Sequence, residues 1–120
     1  MATYIGYYRA HPDYWRQSGE RAREAGHAVP DDAFRAKVAS LRDKLPPTIK
    51  LIGSYAPIQS NPNPNHPSVW ICECDDPSEL TFVNNYYSGY LVFEWVPATA
   101  LGTTAKDTDA VMRANQSRGT

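Results

Sequence analysis

Long apolar runs are missing from this 120-residue chain, and so is any imbalance of charge. No stretch approaches the roughly 20 apolar residues that a membrane-spanning helix needs, and the opening Met-Ala-Thr-Tyr-Ile carries no basic region followed by an apolar one. The expectation is a cytoplasmic protein with no membrane partner. Lys and Arg number 12 against 13 Asp and Glu, a net charge of -1, so electrostatics give no reason to expect nucleic acid as a partner. Gly-rich phosphate loops, serine elbows, metal-binding helix patterns and internal repeats are also missing, which leaves no reaction named by motif alone.

Cysteine is scarce. Cys72 and Cys74 stand two positions apart on an expected strand, which places their Cα atoms about 6.6 Å apart with near-parallel side chains. That is the upper edge of disulfide geometry, so the pair reads as free thiols. A zinc site built on them would have to recruit from His11, His27 and His66, and no cofactor or metal is expected.

What is present is enough for one domain. A chain of this length buries roughly two-thirds of its extended surface. Residues 3–9, rich in tyrosine and isoleucine, read as a first strand with Tyr4, Gly6 and Tyr8 on one face and Ile5, Tyr7 and Arg9 on the other. Residues 12–29 carry Tyr14, Trp15, Ala22 and Ala25 but are interrupted by Ser18-Gly19, and read as a short helix or a flap. Pro30-Asp31-Asp32 then opens a helix with Phe34, Val38, Leu41 and Leu45 on one face, stopped by Pro46-Pro47.

Residues 48–56 alternate as a second strand, and residues 60–67, with three prolines and three asparagines, read as a loop. A third strand over 68–74 sets Trp70, Cys72 and Cys74 against Val69, Ile71 and Glu73. Helix-start signals stack at Asp75-Asp76-Pro77 and Glu79; Leu80, Val83 and Tyr87 follow, with Gly89 as the stop. Residues 90–96 read as a fourth strand ended by Pro97. Residues 1–98 thus form a single domain, and residues 99–120 a tail, flexible or packed on a partner subunit, with one or two helical turns anchored by Val111 and Met112.

Strand, helix, strand, strand, helix, strand is the split βαβ order, which folds as a four-stranded antiparallel sheet with both helices on one face: an α+β, ferredoxin-like arrangement. Apolar residues on both faces of the strands imply a second copy against the open face, hence a homodimer. The run Trp70-Ile71-Cys72-Glu73-Cys74-Asp75-Asp76-Pro77-Ser78-Glu79, with Leu51-Ile52-Gly53-Ser54-Tyr55 before it and Phe93-Glu94-Trp95-Val96-Pro97 after it, resembles a family of small uncharacterised domains. That family belongs to the dimeric α+β barrel, ferredoxin-like superfamily. The resemblance covers about the central half of the chain, and its sharpest part is a helix cap. It implies the fold and dimerisation, whereas relatives in the superfamily include cofactor-free monooxygenases, isomerases, dehydratases and haem proteins, many with a ligand between helices and sheet. The 12–29 segment and the Asn-Pro loop are longer than such domains usually carry.

Candidate chemistry falls into three groups. With the first and third strands taken as parallel neighbours, Arg9 and Glu73 would meet near strand ends, with Glu94 joining from the fourth strand as a carboxylate, guanidinium, carboxylate row. A structural ion pair explains the row as well. His11 follows Arg9 and has the best position of the three histidines for acid/base work; an exposed loop histidine is the plainer reading. Tyr7, Tyr8, Trp70, Tyr86, Tyr87, Tyr90 and Trp95 cluster around the sheet and the helix after Pro77 and would line a cavity for a planar metabolite, with Tyr7, Trp70, Tyr86 and Tyr87 as the candidate ligand-binding residues, or pack as core.

The expectation is a cofactor-independent enzyme of monooxygenase, isomerase or dehydratase type acting on a small aromatic or unsaturated metabolite. Arg9 and Tyr86 would orient the substrate and His11 or Glu73 would move a proton. A non-catalytic dimeric ligand-binding or accessory protein, and a haem or metal protein using His11, His27, His66 or Cys74, are the alternatives.

Overall fold

The computed structural model describes residues 1–58, 66–99 and 105–119. Its order is β1 (Ala2–Ala10), α1 (Pro12–Ala25), α2 (Asp32–Lys44), β2 (Lys50–Tyr55), β3 (Ser68–Cys74), a 3₁₀ turn (Pro77–Leu80), α3 (Thr81–Tyr86), β4 (Leu91–Ala98) and α4 (Ala105–Gly119). The strands form one four-stranded antiparallel sheet in the order β2-β3-β1-β4. The fold class is α+β, and this sheet is compatible with a ferredoxin-like arrangement. Among the described residues no helix is long and apolar enough to cross a membrane. Most of the Asn-Pro loop expected over 60–67 lies outside the described residues.

The central pair is antiparallel, not parallel as expected. A crossover from β1 to β2 returns the chain in the same direction, and the reversal between β2 and β3 then turns β3 against β1. The register sets Thr3 opposite Glu73, Tyr4 opposite Cys72, Gly6 opposite Trp70 and Tyr8 opposite Ser68. On the other flank Tyr8 faces Phe93 and Gly6 faces Trp95. A shift between Leu51 and Gly53 marks a bulge in β2, so Leu51 and Ser54 both fall on the side of Cys72 and Trp70.

Local chemistry explains the helix boundaries. His11 caps α1, its Nδ1 accepting from the Asp13 N–H at 3.2 Å, and Pro12 fits the first turn. Helix α1 runs through Ser18-Gly19 because that stretch is largely exposed and makes no packing demand. A mid-helix glycine costs about 1 kcal/mol, offset by the caps and by the Arg16–Glu20 pair. The helix stops at Gly26, whose φ of 78° suits a residue without Cβ.

Asp31 caps α2 by accepting from the Phe34 N–H at 3.0 Å. At the third start, Asp76 accepts from the Ser78 N–H, and a 3₁₀ turn leads into the short α3. Gly89, at φ 86°, turns the chain into β4. That strand continues through Pro97 to Ala98 because it is an edge strand, where a residue without an N–H is tolerated. The tail is more regular than expected, since residues 105–119 form a 15-residue helix.

The core lies on one face of the sheet. Leu41, Trp70, Val83 and Tyr87 form one buried cluster, with Phe34, Tyr8, Phe93 and Trp95 packed on it; Ile49, Cys72, Cys74 and Leu80 form a second. The other face carries Ile5, Tyr7, Val69, Ile71, Val92 and Val96. These are half-buried, except Val92, which is exposed.

Candidate ligand-binding cavity

Between α2 and the core face of the sheet lies an open cavity of about 360 Å³. The sheet contributes Tyr8 from β1, Leu51 and Ser54 from β2, Trp70 from β3 and Phe93 from β4. Helix α2 contributes Phe34, Val38, Leu41 and Arg42, and the α3–β4 corner contributes Tyr87 and Leu91. Each set follows from local periodicity. Tyr8, Trp70 and Phe93 share a sheet face by register, and Phe34, Val38, Leu41 and Arg42 recur at helical spacing on one side of α2.

The walls are built from stacked rings. Tyr8 stacks on Phe93 with centroids 5.0 Å apart, and Phe93 lies nearly parallel to Trp95 at 5.3 Å. Trp70 meets both edge-on at about 6 Å. Trp95 is pinned by donating its indole N–H to Asn84 Oδ1 at 2.8 Å. Gly6 gives the Trp95 ring its seat, since a Cβ there would lie 2.5 Å from Cζ3.

Polar groups in the lining are few. The hydroxyls of Tyr8 and Ser54 share a 3.2 Å hydrogen bond, and the Tyr87 phenol is pushed up to about 12 by burial, with Tyr86 and Tyr8 adding smaller effects. It therefore stays protonated and able to donate at neutral pH. Arg42, exposed on the last turn of α2, supplies the charge in the lining. Among the described residues no Asp or Glu reaches its guanidinium within 4 Å.

Of the residues expected to bind a ligand, Trp70 and Tyr87 line this cavity. Tyr86 instead clamps two helices together: its hydroxyl donates to the Lys37 carbonyl at 2.6 Å, and the Lys37 ammonium lies 4.4 Å from its ring centre. Tyr7 is on the opposite sheet face, paired with Val69 and Glu94. The expected row does not form as drawn, because antiparallel pairing puts Glu73 opposite Thr3 and leaves Arg9 beside Val92, at opposite ends of β1. Glu94 is a diagonal neighbour of Arg9, but both lie on the face away from the cavity. His11 serves as the α1 cap, and His27 and His66 are exposed.

Cys72 and Cys74 are free and fully buried, and burial raises both thiols, Cys72 to about 11. Among the described residues no three His, Cys, Asp or Glu side chains are grouped to hold a metal ion. Tyr8, one of the clustered aromatics, lines the cavity as well. Sequence reasoning passed over Ser54 and Arg42, and the i+4 spacing of Arg42 from Val38 was the signal that placed Arg42 on the cavity side. Comparison with protein families, with curated proteins and with solved structures returns no match for this chain.

Proposed function

We propose that this chain is a small-ligand-binding domain that takes a planar, aromatic or unsaturated metabolite between α2 and the sheet, and that it works as a homodimer paired through the open sheet face. The cavity carries the reading. Its volume lies at the small end of the range for ligand pockets, and it joins an aromatic wall to a few hydroxyls, the usual composition of a site that selects shape first and orientation second. The apolar strip on the far face supports the dimer, because six half-buried or exposed apolar residues stand together on three adjacent strands. The flanking Arg9, Glu73 and Glu94 supply both signs for a self-complementary twofold contact.

Catalysis is the second reading, favoured by the Tyr8, Ser54 and Tyr87 hydroxyls in the cavity walls. Within it, a proton relay would run through those hydroxyls in place of His11 and Glu73. The test is a panel of one- and two-ring planar compounds titrated against the wild type and against Val38→Trp, which adds an indole at the cavity mouth from a half-exposed helix position. Saturable binding that Val38→Trp abolishes is expected. Binding that survives this substitution, or no binding at all, would overturn the cavity reading.

A further inference from the structure

The charge pattern of the cavity selects among planar ligands. Its ionisable lining consists of Tyr8, Tyr87 and Arg42, with no carboxylate among the lining residues. The hydroxyls can donate, the guanidinium can only donate, and the one formal charge is positive. Arg42 is exposed, so it stands at the rim, whereas Trp70 and Tyr87 are buried at the aromatic end. A ligand that satisfies both regions has an apolar ring at one end and an anionic acceptor at the other.

We infer that the ligand is a planar aromatic or conjugated carboxylate, its ring held against the Trp70, Phe93 and Tyr8 wall and its carboxylate held at the rim by Arg42. This rests on the reading of the cavity as a ligand site. A single guanidinium holds a carboxylate or a phosphate as a planar fork, and two observations favour the carboxylate. Arg42 lies in the last turn of α2, where the helix carbonyls bear partial negative charge and oppose a dianion. Phosphate sites draw on backbone N–H groups at a helix start, and the start of α2 is occupied by its own acidic cap, Asp31. Size agrees as well: a cavity of about 150 Å³ holds benzene, so 360 Å³ accommodates one or two rings with a short polar arm.

The experiment compares 2-naphthoate with its neutral isostere 2-naphthamide by calorimetry, on the wild type, Arg42→Gln and Arg42→Lys. Arg42 is exposed and makes no ion pair within the described residues, so the variants are expected to keep the wild-type circular dichroism spectrum and melting curve. The expected result is that the acid binds the wild type about tenfold or more tightly than the amide, the usual size of a hydrogen bond to a charged group. Arg42→Gln brings the acid down to about the amide's affinity and weakens the amide far less, Arg42→Lys retains part of the preference, and added salt weakens chiefly the acid. Equal binding of acid and amide to the wild type, or an Arg42→Gln variant that weakens both alike, would overturn the carboxylate inference while leaving the cavity reading in place. If neither compound binds, both fail.

Discussion

Gly6 shows how much one missing methyl group controls. The Trp95 ring lies directly over it, stacked on Phe93 and pinned through Asn84, so the ring cannot swing aside without losing those contacts. Gly6→Ala is expected to destabilise the protein by about 1–3 kcal/mol, the usual cost of overpacking, read as a lower urea midpoint with an altered near-ultraviolet dichroism of the tryptophans. Two phenols make a second prediction. Tyr87 and Tyr14 are both held near 12, chiefly by burial, with the hydrogen bond from Tyr14 to Asp31 adding to the second. A folded-state pKa above the ordinary value near 10 means that their contribution to stability is complete below pH 10 and is lost as the pH rises through 12. Phenolate absorbance in the near ultraviolet should show these two tyrosines ionising late, together with a falling urea midpoint above pH 10. Cys72 and Cys74 should resist thiol reagents until the protein unfolds, because thiolate formation is suppressed where they are buried.

At the scale of the element, α2 matters most because it roofs the cavity. Its cap Asp31 is held below the usual carboxylate value by the Phe34 N–H first and the Tyr14 hydroxyl second. The sign follows: its contribution is present above the ordinary Asp value near 3.9 and is lost as the pH falls through it and below. Acidification should therefore loosen the start of α2, and Asp31→Ala should lower the melting temperature at pH 7 while flattening its fall between pH 5 and 3. Helix α2 was legible in sequence because Phe34, Val38, Leu41 and Leu45 repeat at helical spacing between an acidic cap and two prolines. Helix α1 was legible only as one of two alternatives, a short helix or a flap, because no residue in it is buried and Ser18-Gly19 interrupts its apolar stripe. The end of β4 was misread at Pro97, since whether proline ends a strand depends on whether that strand is an edge, which only the assembled sheet decides. Of the cavity, Tyr8, Trp70 and Tyr87 were legible from their aromatic character. The Arg9 and Glu73 row was not correct, because strand direction determines which ends meet and periodicity carries no direction.

The whole molecule is extended for its length. Its radius of gyration is 17.3 Å, against about 14 Å for a compact domain of this size. Light scattering should give the mass of a dimer, and Val92→Lys, which places a charge in the open apolar face, should shift the protein toward monomer while leaving its dichroism unchanged. A monomeric wild type at micromolar concentration would contradict the pairing but not the cavity, since the two lie on opposite faces of the sheet. The most direct measurement of the central claim is therefore made inside the cavity itself: methyl-detected NMR of the protein titrated with 2-naphthoate, with Val38, Leu41, Leu51 and Leu91 as reporters. The account predicts saturable shifts at these methyls, and little change at Val69, Ile71 and Val92 across the sheet. Shifts centred on the open face, or none at the cavity methyls at millimolar ligand, would contradict it.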